Sequence, residues 1–373
     1  MDERRRKRRD FFQNITIVLL TLSAVFLIAQ TQLYTLGVNA GSGYLRYLAG
    51  DSTQTPDASQ TAVTSLSAPV RLAVTGVYSR RYGSVTLTTA DGAFEPAGRL
   101  LREAMRSVHS FSPCETREFL EALDGVSVYC DFLEPLPLPV LAGLVGASLD
   151  SGMSVRRVVI SALESGSAAL YLWCEGDVCQ RGTSAVSAEE LDQVVSGYEF
   201  NGAYFALDSE GPDTSGLAPC SLFPLEPPSL PVLSSAAALP SSDALLSALS
   251  FYPRTNSRYT ESGGVEVITD GDRTLRLNPD GSIRYRSGGD PALTIAAAGE
   301  NPTVTEAVMG VSTLLNTLLA GQTSEASLYL KSVRQLENAT LLSFGWQSGG
   351  VPIRFDRDGS AAEVTLSGSV VSG

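Results

Sequence analysis

The chain has 373 residues, 43% of them hydrophobic and 18% charged, with five cysteines and one histidine, His109. This is enough chain for about two to three domains with a buried core, which excludes general disorder; one histidine excludes histidine-rich metal centres, and five cysteines are too few for a disulfide-dense scaffold. The net charge is −13, of which residues 1–10 carry +3 (six bases, three acids) and the rest −16, so the body repels phosphate backbones and nucleic acid is excluded as its partner.

The N-terminus bears on location. Residues 1–10 read as a basic cytoplasmic tail, and 11–34, which hold no charged residue, read as a transmembrane anchor. About 20 apolar residues cross a bilayer as a helix, and bases immediately before them keep the N-terminus inside. The alternative is a cleaved signal peptide. Val38-Asn39-Ala40 has the small-residue spacing for cleavage, but it lies well past the strongly apolar part at 15–29. Within the anchor, Thr16, Thr21, Ser23 and Ala24 are small or weakly polar positions for contact with another membrane helix, or simply tolerated there. The apolar run at 136–145 is too short, and too rich in proline, to be a second span.

Beyond the anchor, residues 35–69 are a Gly-, Ser- and Thr-rich linker, and folded structure is expected from Val70. Two strand-like runs at 70–89 precede a helix whose apolar face is Ala97, Leu100, Leu101, Ala104, Met105 and Val108. Ser112-Pro113-Cys114-Glu115 reads as the start of a second helix that Gly125 stops. A strand at 126–134 is closed by the prolines at 135–139; strands at 155–163, 169–175 and 177–182 and a helix at 188–196 complete a first extracytoplasmic α+β domain, 70–208. Residues 209–242 are a Pro- and Ser-rich connection, and 243–373 a second such domain. That domain begins with a short helix and a strand meander with Asp-Gly turns at Asp270-Gly271 and Asp280-Gly281. A helix opened by a Thr303/Glu306 capping box and stopped at Gly321 follows, then further strands. The predicted class is α+β, with antiparallel sheets and helices packed on one face. At the C-terminus, 362–366 predicts a strand that Ser367-Gly368 turns back; the three-residue return at 369–371 is short for its partner, which predicts an incomplete chain with an unpaired edge.

Chemistry-bearing candidates are few. A two-residue turn at Gly176-Asp177 would set Cys174 opposite Cys179, within disulfide range. Cys114 and Cys130 are a second candidate bridge, and the alternative for each pair is buried free thiols. Cys220 would need His109 as base to act as a nucleophile, and His109 reads instead as a structural histidine at a helix C-terminus. Tyr78, Tyr82, Tyr171 and Trp173 are aromatics that serve either a binding face or a core. Glu189-Glu190 fits the first turn of a helix. Nucleotide-binding glycine fingerprints, a serine-hydrolase elbow, a C-x-x-C pair and a calcium loop are all absent, so neither a catalytic residue, a cofactor nor a metal is assigned.

The basic tail, single anchor and acidic body, together with FYPRTNSRYTESGGVEVITDGDRTLRLNPDGSIRYR at 251–286 and LKSVRQLENATLLSFGWQSGGVPIRFDRDGSAAEVTLSG at 330–368, resemble the extracytoplasmic regions of the YycH/YycI family. The resemblance is clearest over 250–368. It implies a non-enzymatic, single-pass accessory protein at the cell membrane. Its partners would be the WalK/YycG-type sensor histidine kinase of cell-wall metabolism, through the anchor and the outer domains, and a paralogous accessory membrane protein. The alternative is a membrane-anchored binding or scaffolding module for envelope polymers or proteins.

Overall fold

The computed structural model describes residues 69–87, 92–144, 147, 149, 151–208, 216–230, 242–252, 256–288, 292–297, 299–319, 326–354 and 359–373. The expected tail and anchor at 1–10 and 11–34 and all of the expected 35–69 linker but its last residue, Pro69, lie outside these residues, as do Thr16, Thr21, Ser23, Ala24 and Gly321. Among the described residues no helix is long and apolar enough to cross a membrane.

The fold is α+β. Strands β1 (Arg71–Thr75) and β2 (Arg81–Ser84) form a hairpin, followed by α1 (Phe94–Ser107), β3 (Ser112–Cys114), α2 (Thr116–Asp124), β4 (Ser127–Pro137) and α3 (Leu138–Leu144). Then come β5 (Ser154–Ala162), β6 (Ser167–Cys174), β7 (Val178–Ser187), α4 (Ala188–Ser196) and the paired short strands β8 (Tyr204–Phe205) and β9 (Leu222–Phe223). Helix α5 (Ser242–Ala248) leads into a meander of β10 (Ser257–Thr260), β11 (Glu266–Asp270), β12 (Arg273–Leu277) and β13 (Ile283–Ser287). Helix α6 (Val304–Leu318) precedes β14 (Ala326–Gln335), β15 (Thr340–Ser348), β16 (Val351–Ile353), β17 (Ala362–Ser367) and β18 (Val370–Val371). The ladders are antiparallel, and the largest sheet has the order β2-β1-β4-β5-β6-β7-β3.

Side chains alternate across that sheet, and both faces are covered. One row runs Leu72–Cys130–Val158–Leu172; its neighbour on the other face runs Ala73–Tyr129–Val159–Tyr171. The first face packs under α1 (Leu101, Met105) and α4 (Leu191, Val195), and the second under α2 (Phe119, Leu123) and the β8–β9 segment (Phe205, Leu222). This double burial explains why β6 reads as an almost unbroken apolar run. The first apolar cluster continues into residues after the connection, taking in Leu246, Ile268, Val311, Phe344 and Val371, so 70–208 and 243–373 share one core within one compact unit. Tyr171 and Trp173 belong to the second-face core, whereas Tyr82 is half-buried and stacks obliquely on Tyr198 at 5.1 Å between ring centroids.

Three local expectations change. Residues 112–114 are an edge strand, and α2 is opened instead by Glu115, whose N–H donates to Glu118 Oε1 at 3.2 Å. Proline is tolerated at an edge, where its missing N–H costs no ladder bond. Strand β4 runs through Pro135 because its ladder to β5 is interrupted between Asp131 and Leu136, where a donor is not needed, and it ends at Pro137, opposite Ser154. The C-terminal edge is paired: β18 pairs β17, the Val371 N–H donates to the Leu293 carbonyl at 2.8 Å, and the Ile295 N–H donates to the Ser369 carbonyl at 2.9 Å. A segment distant in sequence supplies the partner that the short return lacks.

Where the β4–β5 ladder breaks, Asp131 is 2% exposed and faces three guanidinium groups. Arg71 donates to it at 2.9 Å and Arg156 at 3.3 Å, and Arg157 Nε stands 3.8 Å away. Removing one partner of a buried ionic cluster leaves uncompensated charge and costs about 3–5 kcal/mol. Asp131→Ala in the full-length chain is expected to destabilise by that amount in urea unfolding. Glu121→Ala, which breaks the exposed Arg117–Glu121 pair on α2, is expected to cost about 0.5 kcal/mol or less. Equal midpoints for the two variants would show that the Asp131 cluster does not hold the sheet.

Candidate functional site

A cleft of about 520 Å³ lies at the β3 edge of the large sheet. Its volume falls within the range of small-ligand sites. His109 and Ser110 from the turn after α1, Ser112 and Cys114 of β3, Glu118 of α2 and Arg181 of β7 line it. Local sequence explains the placement. Helix α1 stops at Ser107, whose hydroxyl accepts from the Ala185 N–H of β7 at 2.9 Å and fixes the chain against that strand. The turn then crosses β7 at Gly182. A Cβ there would stand 2.6 Å from Val108 Cγ1 and 2.9 Å from the Ser110 carbonyl, so only glycine allows this approach. His109 is exposed just beyond the helix end, as part of the cleft wall.

The two charged groups in the wall pair with each other. Arg181 donates to Glu118 Oε2 at 3.2 Å and lies 5.8 Å from the Tyr171 ring centroid. Glu118 also closes the N-terminus of α2. Cys114 is half-buried, and burial is the main cause that lifts its thiol to about 11; Cys179 and Glu118 push the same way and Arg181 opposes them. A thiol held there is almost wholly protonated at neutral pH and is a poor nucleophile.

The structure redistributes the cysteines, and all five are thiols. The β6–β7 turn takes three residues, Glu175, Gly176 and Asp177, with φ of 76° at Gly176 and 59° at Asp177. Cys174 therefore pairs with Val178, and Cys179 with Trp173. One residue of register moves a side chain to the other face. Cys174 points into the first-face core and Cys179 into the second, so the expected Cys174–Cys179 bridge would have to pass through the sheet. The expected Cys114–Cys130 bridge fails on distance: β3 and β4 are separated by β5, β6 and β7, about 19 Å at about 4.8 Å per step. Cys130 is buried under α1, and burial raises its thiol to about 12. Cys220 is buried beneath Tyr129, whose hydroxyl donates to the Cys220 carbonyl at 3.0 Å.

The cleft brings together His109 and Cys114, and the register places Cys179 directly opposite Cys114. Sequence reading missed that pairing because β3 joins a strand more than sixty residues downstream. The available signal was the Ser-Pro-Cys run, which suits a short edge strand as well as a helix start.

In full-length protein, alkylation of Cys114 is expected to be roughly 100-fold slower at pH 8 than that of an unperturbed thiol and to accelerate about tenfold per pH unit up to about pH 11. Peptide-resolved labelling that reached its plateau below pH 9 would contradict the raised value.

Neither a family model, nor a curated protein, nor a solved structure matches this chain.

Proposed function

We propose that the chain is a non-enzymatic, single-pass membrane protein whose folded part lies outside the membrane and modulates a cell-wall sensor histidine kinase by direct contact, alone or with a paralogous accessory protein. The order of charge and hydropathy over 1–34 and the similarity of 251–286 and 330–368 to the YycH/YycI family support this reading. Those two segments form most of the meander and most of the β14–β18 sheet.

The structural observation that carries the reading is the tip of the β1–β2 hairpin. Val77 and Tyr78 are 63% and 94% exposed, and Tyr78 and Ser79 hold φ of 60° and 53°. A non-glycine residue in this left-handed region costs on the order of 1–2 kcal/mol. The conformation is held by the Ser79 hydroxyl, which donates to Asp124 Oδ1 of α2 at 2.6 Å. An apolar pair kept in water on a strained turn lowers stability and suits a protein contact. The polar cleft favours the second reading, binding of envelope polymer, and its occupant distinguishes the two.

A photo-crosslinking side chain at position 78 in native membranes is expected to capture a sensor kinase. Capture of wall polymer alone would favour the second reading and reject the first. Tyr78→Gly is expected to raise stability by about 1 kcal/mol by relieving the left-handed strain. The same change should lower kinase capture, measured with a cross-linker placed at position 77. Unchanged capture would remove the tip from the contact.

A further inference from the structure

We propose that Cys114 and Cys179 are a redox pair that closes to a disulfide, fastening edge strand β3 to β7 and fixing one wall of the His109 cleft. Strand register carries the assignment. Cys114 and Cys179 are direct cross-strand partners in an antiparallel ladder and pack in the same second-face cluster. Such partners have Cα atoms about 4.5–5.5 Å apart, inside the range of about 4.4–6.8 Å that a disulfide spans. The other three cysteines are kept from competing: Cys174 and Cys130 lie in the opposite core layer and Cys220 lies under Tyr129. The assignment rests on geometry alone and does not depend on the compartment argued above.

The two thiols differ in access, which sets their order of reaction. Cys114 lines the cleft, and Cys179 is 3% exposed behind it. The oxidant class is a low-molecular-weight disulfide, RSSR, or the active-site disulfide of a thiol–disulfide oxidoreductase. Cys114 loses its proton and its sulfur attacks one sulfur of RSSR. The S–S bond breaks, and the departing RS⁻ takes up the proton. The Cys179 thiol then loses its proton, its sulfur attacks Cys114 Sγ, and the second RS⁻ departs and takes up that proton. Two protein thiols are oxidised, one external disulfide is reduced to two thiols, and no other reactant is required. Burial raises both protein thiols, so the exchange is slow at neutral pH and accelerates in alkali.

The bridge matters because β3 is weakly held. It contributes three residues at a sheet edge, and one of them is Pro113, which has no N–H to donate. The Glu118–Arg181 pair beside it is more than a third exposed on both sides and adds little.

The test equilibrates reduced full-length protein with oxidised glutathione at about pH 9, quenches with acid and an alkylating agent, and maps linked peptides without reduction. Cleavage at Glu175 or Asp177 separates Cys174 from Cys179. The expected product joins Cys114 to Cys179 and leaves Cys130, Cys174 and Cys220 alkylated only after denaturation. Oxidation is expected to raise Tm by about 5–10 °C, and Cys114→Ser to abolish that rise. Cys179→Ser is expected to halt the reaction with glutathione bound at Cys114. Linkage of Cys114 to any other cysteine, or stable glutathionylation of Cys114 while Cys179 is present, would overturn the assignment.

Discussion

The large sheet depends on one buried carboxylate. Asp131 stands in a cross-strand row that runs Arg71, Asp131, Arg157, Trp173, Cys179, Cys114 across six strands. A carboxylate at 2% exposure is tolerable only with charged partners, and here the partners come from both neighbouring strands. Slipping β1 or β5 by one residue would put Arg71 or Arg157 on the opposite face and take one guanidinium away from the buried carboxylate. The carboxylate therefore fixes register, and register decides every later placement in the row, down to the cysteine pair at the far edge. The ladder between β5 and β6 shifts between Val155 and Arg157, and Arg156, the extra residue there, also reaches Asp131.

A second buried pair performs a related task in the other part of the chain. Arg273 is 1% exposed. It donates to Asp270 at 2.6 Å and to the Leu249 and Ser250 carbonyls at 3.2 and 3.0 Å, just beyond the end of α5. Carbonyls at a helix end lack intrahelical partners, and a planar guanidinium can serve several at once. Asp270 accepts from the Tyr252 N–H as well, so the pair fastens the meander to the chain leaving α5. In both places buried charge specifies a connection that apolar packing alone would leave free to slide.

Much of the secondary structure was legible because its causes are local. The apolar positions of α1, the first-turn acids Glu189-Glu190 of α4, the Thr303/Glu306 capping box of α6 and the Asp270-Gly271 turn between β11 and β12 follow from spacing within a dozen residues. What was illegible is non-local. The Cys174–Cys179 reading failed by one residue of turn length, because the turn takes in Glu175 with Asp177 in the left-handed region. Nothing near residue 113 indicates that its strand pairs with residues 179–181, and nothing near 370 indicates that 293–295 closes its edge. The continuous core across the connection was hidden for the same reason: apolar periodicity identifies a buried face but not what covers it.

Helix α2 joins the two surfaces singled out above. Its cap follows Cys114 directly, and its last residue, Asp124, accepts the hydrogen bond that holds the strained Val77–Tyr78 tip. This continuity would transmit redox closure to the tip only if α2 had two positions. Its packing argues for one. Phe119 and Leu123 are fully buried, and Phe119 meets the Trp173 ring edge-on at 5.1 Å between centroids. Withdrawing a side chain of that size from its socket costs about 3–5 kcal/mol. A bridge whose partners already stand in register releases no strain that would offset this cost. The helix therefore acts as a strut rather than a lever, and the tip keeps its geometry whether the cysteine pair is open or closed.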